Sequence, residues 1–127
     1  MSDALREWVE GLHDGVVRLP RCTRCATWNW YPRPVCRRCG GSDVIWLEVG
    51  NVGHVHTWTE VVQAVDTVEG LRTPYVAALI TPMGAPDARI PMLAAECARI
   101  PAIGEEVAFE VTDTAAGRTI TFCQHTR

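Results

Sequence analysis

The chain contains no lysine, no long apolar run, and no acidic residue anywhere between Arg18 and Arg38. No stretch approaches the roughly 18 apolar residues that a membrane-spanning helix needs. The start, MSDALREW, has neither the basic residues nor the apolar segment of a secretory signal, so a cytoplasmic location is expected. No GxSxG, GxGxxG or phosphate-loop glycine pattern occurs, and no cysteine sits in a nucleophile context, which argues against a free-standing enzyme. The net charge of −3 lacks the positive field expected of a general nucleic-acid binder.

What is present is distributed unevenly. All 12 basic residues are arginine. Arg18, Arg21, Arg24, Arg33, Arg37 and Arg38 crowd the acid-free stretch, whereas positions 51–127 hold five arginines against nine Asp or Glu. Hydrophobic residues make up 47% of the chain, enough for a folded core. Four of the six cysteines form two CxxC pairs, Cys22/Cys25 and Cys36/Cys39, with ten residues between them. Without an export signal, metal is a better reading of these pairs than disulfides.

Each CxxC lets two thiolates converge on one ion, and Gly40 and Gly41 after the second pair permit the tight turn in which backbone N–H groups face sulfur. Tetrahedral zinc is expected, with iron or a redox dithiol as the alternatives. Four thiolates close the coordination sphere, so the metal would be structural. Cys97 and Cys123 lack paired spacing and are expected to be buried or half-buried free thiols.

The spacing of Leu5, Trp8, Val9 and Leu12 predicts an amphipathic N-terminal helix capped by Ser2 and ending at Gly11 and Gly15. Its apolar stripe must dock on its own chain or on a partner. Val16 to Leu19 reads as an extended lead into the first cysteine pair, and Trp28 to Tyr31 as a short aromatic strand between the pairs. Beyond Gly50 the pattern is mainly β. Extended segments at 52–65, 75–81, 89–96, 107–113 and 118–124 are rich in Val, Ile, Thr and aromatics and are separated by Gly- and Pro-containing turns. Five such strands suit a small OB-fold barrel, with an SH3-like barrel or a small sandwich as alternatives. The expected organisation is a helix at 1–15, a zinc ribbon at 16–50 and an OB-fold at 51–127.

Other candidate groups carry less. His54 and His56 lie two apart on a strand and share a side, yet no third ligand accompanies them, so they are read as sheet-surface residues. Glu105 and Glu106 are read as solvated. The arginines of the ribbon can clamp phosphates in bidentate fashion, with Trp28, Trp30 and Tyr31 available to stack a base; alternatively they solubilise the ribbon or pair with acids on a partner.

The order of helix, Gly15-Val-Val-Arg-Leu-Pro-Arg-Cys-Thr-Arg-Cys25, Tyr31-Pro-Arg-Pro-Val-Cys-Arg-Arg-Cys-Gly-Gly-Ser42 and Gly53-His-Val-His-Thr-Trp-Thr59 resembles the domain of unknown function 35 family. The resemblance continues into Thr73 to Leu79 and Ile103 to Val107 and covers nearly the whole chain. It implies a rubredoxin-like zinc ribbon followed by an OB-fold. It further implies a non-catalytic accessory subunit of a thiolase-superfamily enzyme, of acetyl-CoA acetyltransferase, acyltransferase or aldolase type, in acyl-CoA and lipid metabolism. A MaoC-like enoyl-CoA hydratase is the other partner type in that family. Arg24, Arg37 and Arg38 are the candidate contacts to acyl-CoA or partner. The segment from Ala98 to Gly104 is short for the family. The rival reading is a single-strand nucleic-acid-binding module, which the acidic second half opposes.

Overall fold

The computed structural model describes residues 3–63, 73–114 and 117–124. The proposed Ser2 cap and residues 64 and 65 of the first long segment lie outside them. The helix forms as its periodicity requires, as α1 (Asp3–His13). It ends in a Schellman arrangement: Val16 N–H donates to Gly11 O (2.8 Å) and Gly15 N–H to Leu12 O (3.1 Å), with Gly15 at φ +80°. Gly15 is thus the stop, while Gly11 is a buried member of the last turn whose missing side chain lets Val16 O approach.

Two short strands follow, β1 (Arg18–Cys22) and β2 (Val44–Glu48), paired antiparallel from Arg18↔Glu48 to Cys22↔Val44. The aromatic strand expected at Trp28 to Tyr31 does not form. Arg21 takes only an isolated bridge to Trp28: one edge of β1 pairs with β2, and on the other the bonds from Cys22 N–H to Thr27 O and from Asn29 N–H to Pro20 O frame that single bridge. The extended lead instead continues through the first cysteine as β1 itself.

The second half is a closed five-stranded barrel of β3 (Val52–Val61), β4 (Tyr75–Pro82), β5 (Ile90–Ala94), β6 (Glu106–Thr114) and β7 (Gly117–Gln124). Around the barrel the order is β3-β4-β5-β7-β6, with β5 and β7 parallel and the other neighbours antiparallel. That is the Greek-key closure of an OB-fold. Alternation along the strands fills the interior with Val55, Ile80, Ile90, Met92, Val107, Phe109, Ile120 and Phe122. β3 is able to serve two neighbours because its register shifts between Val55 and Thr57, a bulge that bends the strand. Gly53 sits where a side chain has no room: an added Cβ would lie 2.5 Å from Thr81 O and 3.1 Å from Pro82 Cα.

The ribbon and the barrel share one core. Val17 and Leu19 are buried in the same cluster as the barrel residues, and Trp8, Leu12, Trp28 and Trp30 pack against it. The helix stripe therefore docks on its own chain, with the Trp8 and Trp30 rings 4.4 Å apart between centroids. No described helix is long and apolar enough to cross a membrane.

Candidate metal centre

The cysteine turns are two copies of one device. In the first, Ala26 N–H donates to Cys22 O (3.0 Å) and Cys22 N–H to Thr27 O (2.9 Å). In the second, Gly40 N–H donates to Cys36 O (2.9 Å) and Cys36 N–H to Gly41 O (2.8 Å). Each turn needs a left-handed residue just after its second cysteine, and these are Ala26 at φ 64° and Gly40 at φ 74°. Sequence reasoning found Gly40 and missed Ala26, since alanine gives no signal for that conformation.

The turns bring the sulfurs of Cys22, Cys25, Cys36 and Cys39 within 4.8 Å of one another. Cys22 Sγ lies 3.5 Å from Cys39 Sγ, and Cys25 Sγ 3.6 Å from Cys36 Sγ. A tetrahedron with Zn–S bonds of about 2.3 Å has sulfurs about 3.8 Å apart, so this cage fits zinc with little adjustment. No other group of three or more His, Cys, Asp or Glu ligands gathers among the described residues. His54 and His56 stand exposed on β3, as read from the sequence.

Backbone amides complete the cage. Arg38 N–H donates to Cys36 Sγ and Gly41 N–H to Cys39 Sγ, both at 3.4 Å. Four thiols this close cannot share one acidity. Backbone donation, led by the Cys39 N–H, draws Cys36 down to about 6 despite burial. Thr27, whose hydroxyl is 3.2 Å from Cys25 Sγ, lowers Cys25. At Cys39 the Gly41 N–H pulls the same way but is outweighed by the neighbouring Cys22 sulfur, burial and the other thiols, and the group rises to about 11. A cation that replaces the protons removes this conflict.

Asn29 joins the two turns, and its role was not legible in the sequence. It is 2% exposed; its side-chain N–H donates to Thr27 O (3.3 Å) and its Oδ1 accepts from Arg37 N–H (3.0 Å).

The arginines divide into two groups. Arg18 pairs with Asp14, Arg21 lies 5.9 Å over the Trp28 ring, and Arg37 Nη2 donates to Asp87 O (2.7 Å), fastening the ribbon to the turn after β4. Trp28 N–H adds a bond to Asp87 Oδ2 (3.4 Å). Arg24, Arg33 and Arg38 are exposed and make no ion pair among the described residues, Arg24 lying across Gly41. Trp28 and Trp30 pack inward, which leaves Tyr31, 50% exposed, as the open ring among the three aromatic candidates for base stacking.

Two expectations are corrected. Cys97 and Cys123 are a disulfide across 5.9 Å between Cα atoms, not free thiols, because β7 returns beside the end of β5. Glu105 is engaged rather than simply solvated: Ala102 N–H, Gln124 and Arg99 converge on it and hold its carboxyl below the usual value of 4.5.

Residues 9–44 match the family described as ChsH2, rubredoxin-like zinc ribbon domain. That decides the metal. This is a zinc-binding ribbon. No curated protein matches the chain. Among solved structures it is similar to a chain of the Ltp2–ChsH2(DUF35) aldolase, with TM-score 0.81 and 21% identity over 98% of this chain and 96% of that one. It is also similar to a protein of unknown function of the DUF35 family from Sulfolobus solfataricus, with TM-score 0.62 and 17% identity over 86% and 78%. The resemblance to that family is borne out at the level of fold: ribbon and barrel together are arranged as in these two DUF35 chains.

Proposed function

We propose that the chain is a non-catalytic, zinc-stabilised accessory subunit of a thiolase-superfamily enzyme acting on acyl-CoA. The observation that carries this reading is the correspondence, over 98% of the chain, with a component of an aldolase described as Ltp2–ChsH2(DUF35). Cys22, Cys25, Cys36 and Cys39 are the four zinc ligands, and a closed thiolate shell gives the metal no position for substrate. Helix 1–15, ribbon 16–50 and barrel 51–127 act as one docking body, since their cores are continuous.

The helix stripe, already covered by Trp30 and the shared core, is a poor docking surface. The ribbon is a better one. Its exposed Tyr31, Val35, Ile45 and Leu47 lie on the same module as the unpaired Arg24, Arg33 and Arg38, a mixture enriched at interface cores. Arg24 and Arg38 are free to meet an acyl-CoA phosphate or a partner carboxylate, whereas Arg37 holds the ribbon to the barrel.

Co-expression with a thiolase-like enzyme encoded beside it tests the reading. A complex of fixed stoichiometry is expected, and the double variant Arg24→Ala/Arg38→Ala should weaken docking or acyl-CoA turnover at unchanged zinc content. Separate elution, with the enzyme equally active alone, would refute it. Co-purification with a MaoC-like hydratase would move the same role to that partner.

A further inference from the structure

The barrel has a thin seam. β3 and β4 are joined by eight residue pairs, as are β6 and β7, but β5 and β7 by two only, Leu93↔Thr121 and Ala94↔Phe122. Just past that seam the chain is fastened three times. Ala95 N–H donates to Phe122 O (2.9 Å), Cys97 is bonded to Cys123, and Gln124 grips the Arg99 backbone from both sides, its Oε1 accepting from Arg99 N–H (3.1 Å) and its Nε2 donating to Arg99 O (2.9 Å). Cys97 is exposed and Cys123 half-buried, and both line an open groove of about 230 Å³ with Asn51, Phe109 and Thr121.

We propose that Cys97–Cys123 is a reversible thiol–disulfide site, separate from the zinc thiolates, which latches the parallel seam and is opened by a low-molecular-weight thiol. The groove admits a small thiolate to the exposed Cys97 sulfur. Attack there forms a mixed disulfide and breaks the bond to Cys123, which leaves as a thiolate and takes up a proton. A second thiolate attacks the small-molecule sulfur of the mixed disulfide and releases Cys97. Two thiols are oxidised to one disulfide, and the protein bridge gains two electrons and two protons. The flanking bonds from Ala95 and Gln124 open more often once the bridge is reduced, but they re-form and return the two thiols to each other, so an oxidised small-molecule disulfide closes the latch again. The four ribbon cysteines, held by metal, stay out of the exchange.

The test uses the full zinc-loaded chain equilibrated in mixtures of reduced and oxidised glutathione. After quenching with N-ethylmaleimide, denaturation with chelator and further labelling, the intact mass should show four labels and one bridge in oxidised mixtures and six labels in reduced ones. Hydrogen exchange of the amides at 95 and 121–124 should speed up at least tenfold on reduction, while those at 77–80 stay unchanged. Cys97→Ser should exchange like the reduced parent in every mixture and keep its zinc; Cys123→Ala serves if that variant fails to fold. Six labels in fully oxidised buffer would overturn the proposal. So would a bridge that resists excess reduced glutathione, seam amides indifferent to reduction, or zinc loss at the same glutathione ratio.

Discussion

The ribbon and the barrel reach stability by different means, although they share a core. The barrel closes on itself, with each strand paired on both sides and an interior of aliphatic and aromatic side chains. The ribbon has two strands of five residues, and much of its order comes from amides and sulfurs arranged around one point. A segment of that size has too little apolar surface to fold alone, and the metal makes up the difference. The contrast shows where each region is fragile: the barrel to a change in volume, the ribbon to a change in its ligands or turns.

Zinc removal is the strongest way to break the comparison, because structural zinc is worth about 10–16 kcal/mol of apparent free energy in isolated fingers. Chelation, or Cys36→Ser, should abolish the stoichiometric zinc and the near-ultraviolet signal of Trp28, Trp30 and Trp46. The far-ultraviolet β signal of the barrel should persist with a lowered melting temperature, since Val17 and Leu19 no longer cap its core. Simultaneous loss of both signals would mean that the two regions are one cooperative unit.

The converse perturbation strikes the barrel. In Gly53→Ala the new methyl meets backbone on β4, with Thr81 O at 2.5 Å, and a backbone atom cannot rotate away as a flexible side chain would. A loss of about 3 kcal/mol is expected in denaturant melts, at an unchanged one zinc per chain. A loss below about 1 kcal/mol would show that the β3–β4 ladder yields more easily than its geometry implies.

How much of this was legible in the sequence depends on the range of the interaction. CxxC spacing, helical periodicity and runs of β-branched residues are local, and they located the metal centre, α1 and the five barrel strands to within a few residues. The β1–β2 pairing joins residues up to thirty positions apart, and nothing local in Arg18 to Cys22 announces it. Cys97 meets Cys123 only because β5 and β7 are neighbours in the closed barrel, which spacing alone does not encode. Arg37 was grouped with Arg24 and Arg38 by composition, whereas its bond to Asp87 O depends on where the ribbon sits on the barrel.

Asn29 offers a weaker way to disturb the ribbon, through its turns and not its ligands. Asn29→Ala removes the acceptor of Arg37 N–H and the donor to Thr27 O in a buried position, which should cost about 1–3 kcal/mol. The four thiolates remain, so zinc should still bind, but a competing chelator should extract it faster. Unchanged extraction would show that the two turns are held together by the metal alone.

The smallest effect sharpens the comparison within the ribbon itself. The two cysteine turns make the same backbone bonds, yet one places alanine and the other glycine at the left-handed position. A non-glycine residue there costs about 1–2 kcal/mol, and glycine gives back about 0.5–1 kcal/mol through its greater freedom in the unfolded chain. Ala26→Gly should therefore stabilise the ribbon by about 0.5–1 kcal/mol. Gly40→Ala should destabilise it by a similar amount, since the added methyl meets nothing within 4 Å and only backbone strain acts. The exchanged variant Ala26→Gly/Gly40→Ala should then melt close to the parent. If it melts well below, the second turn needs glycine for a reason the first does not share, and the equivalence of the two turns fails.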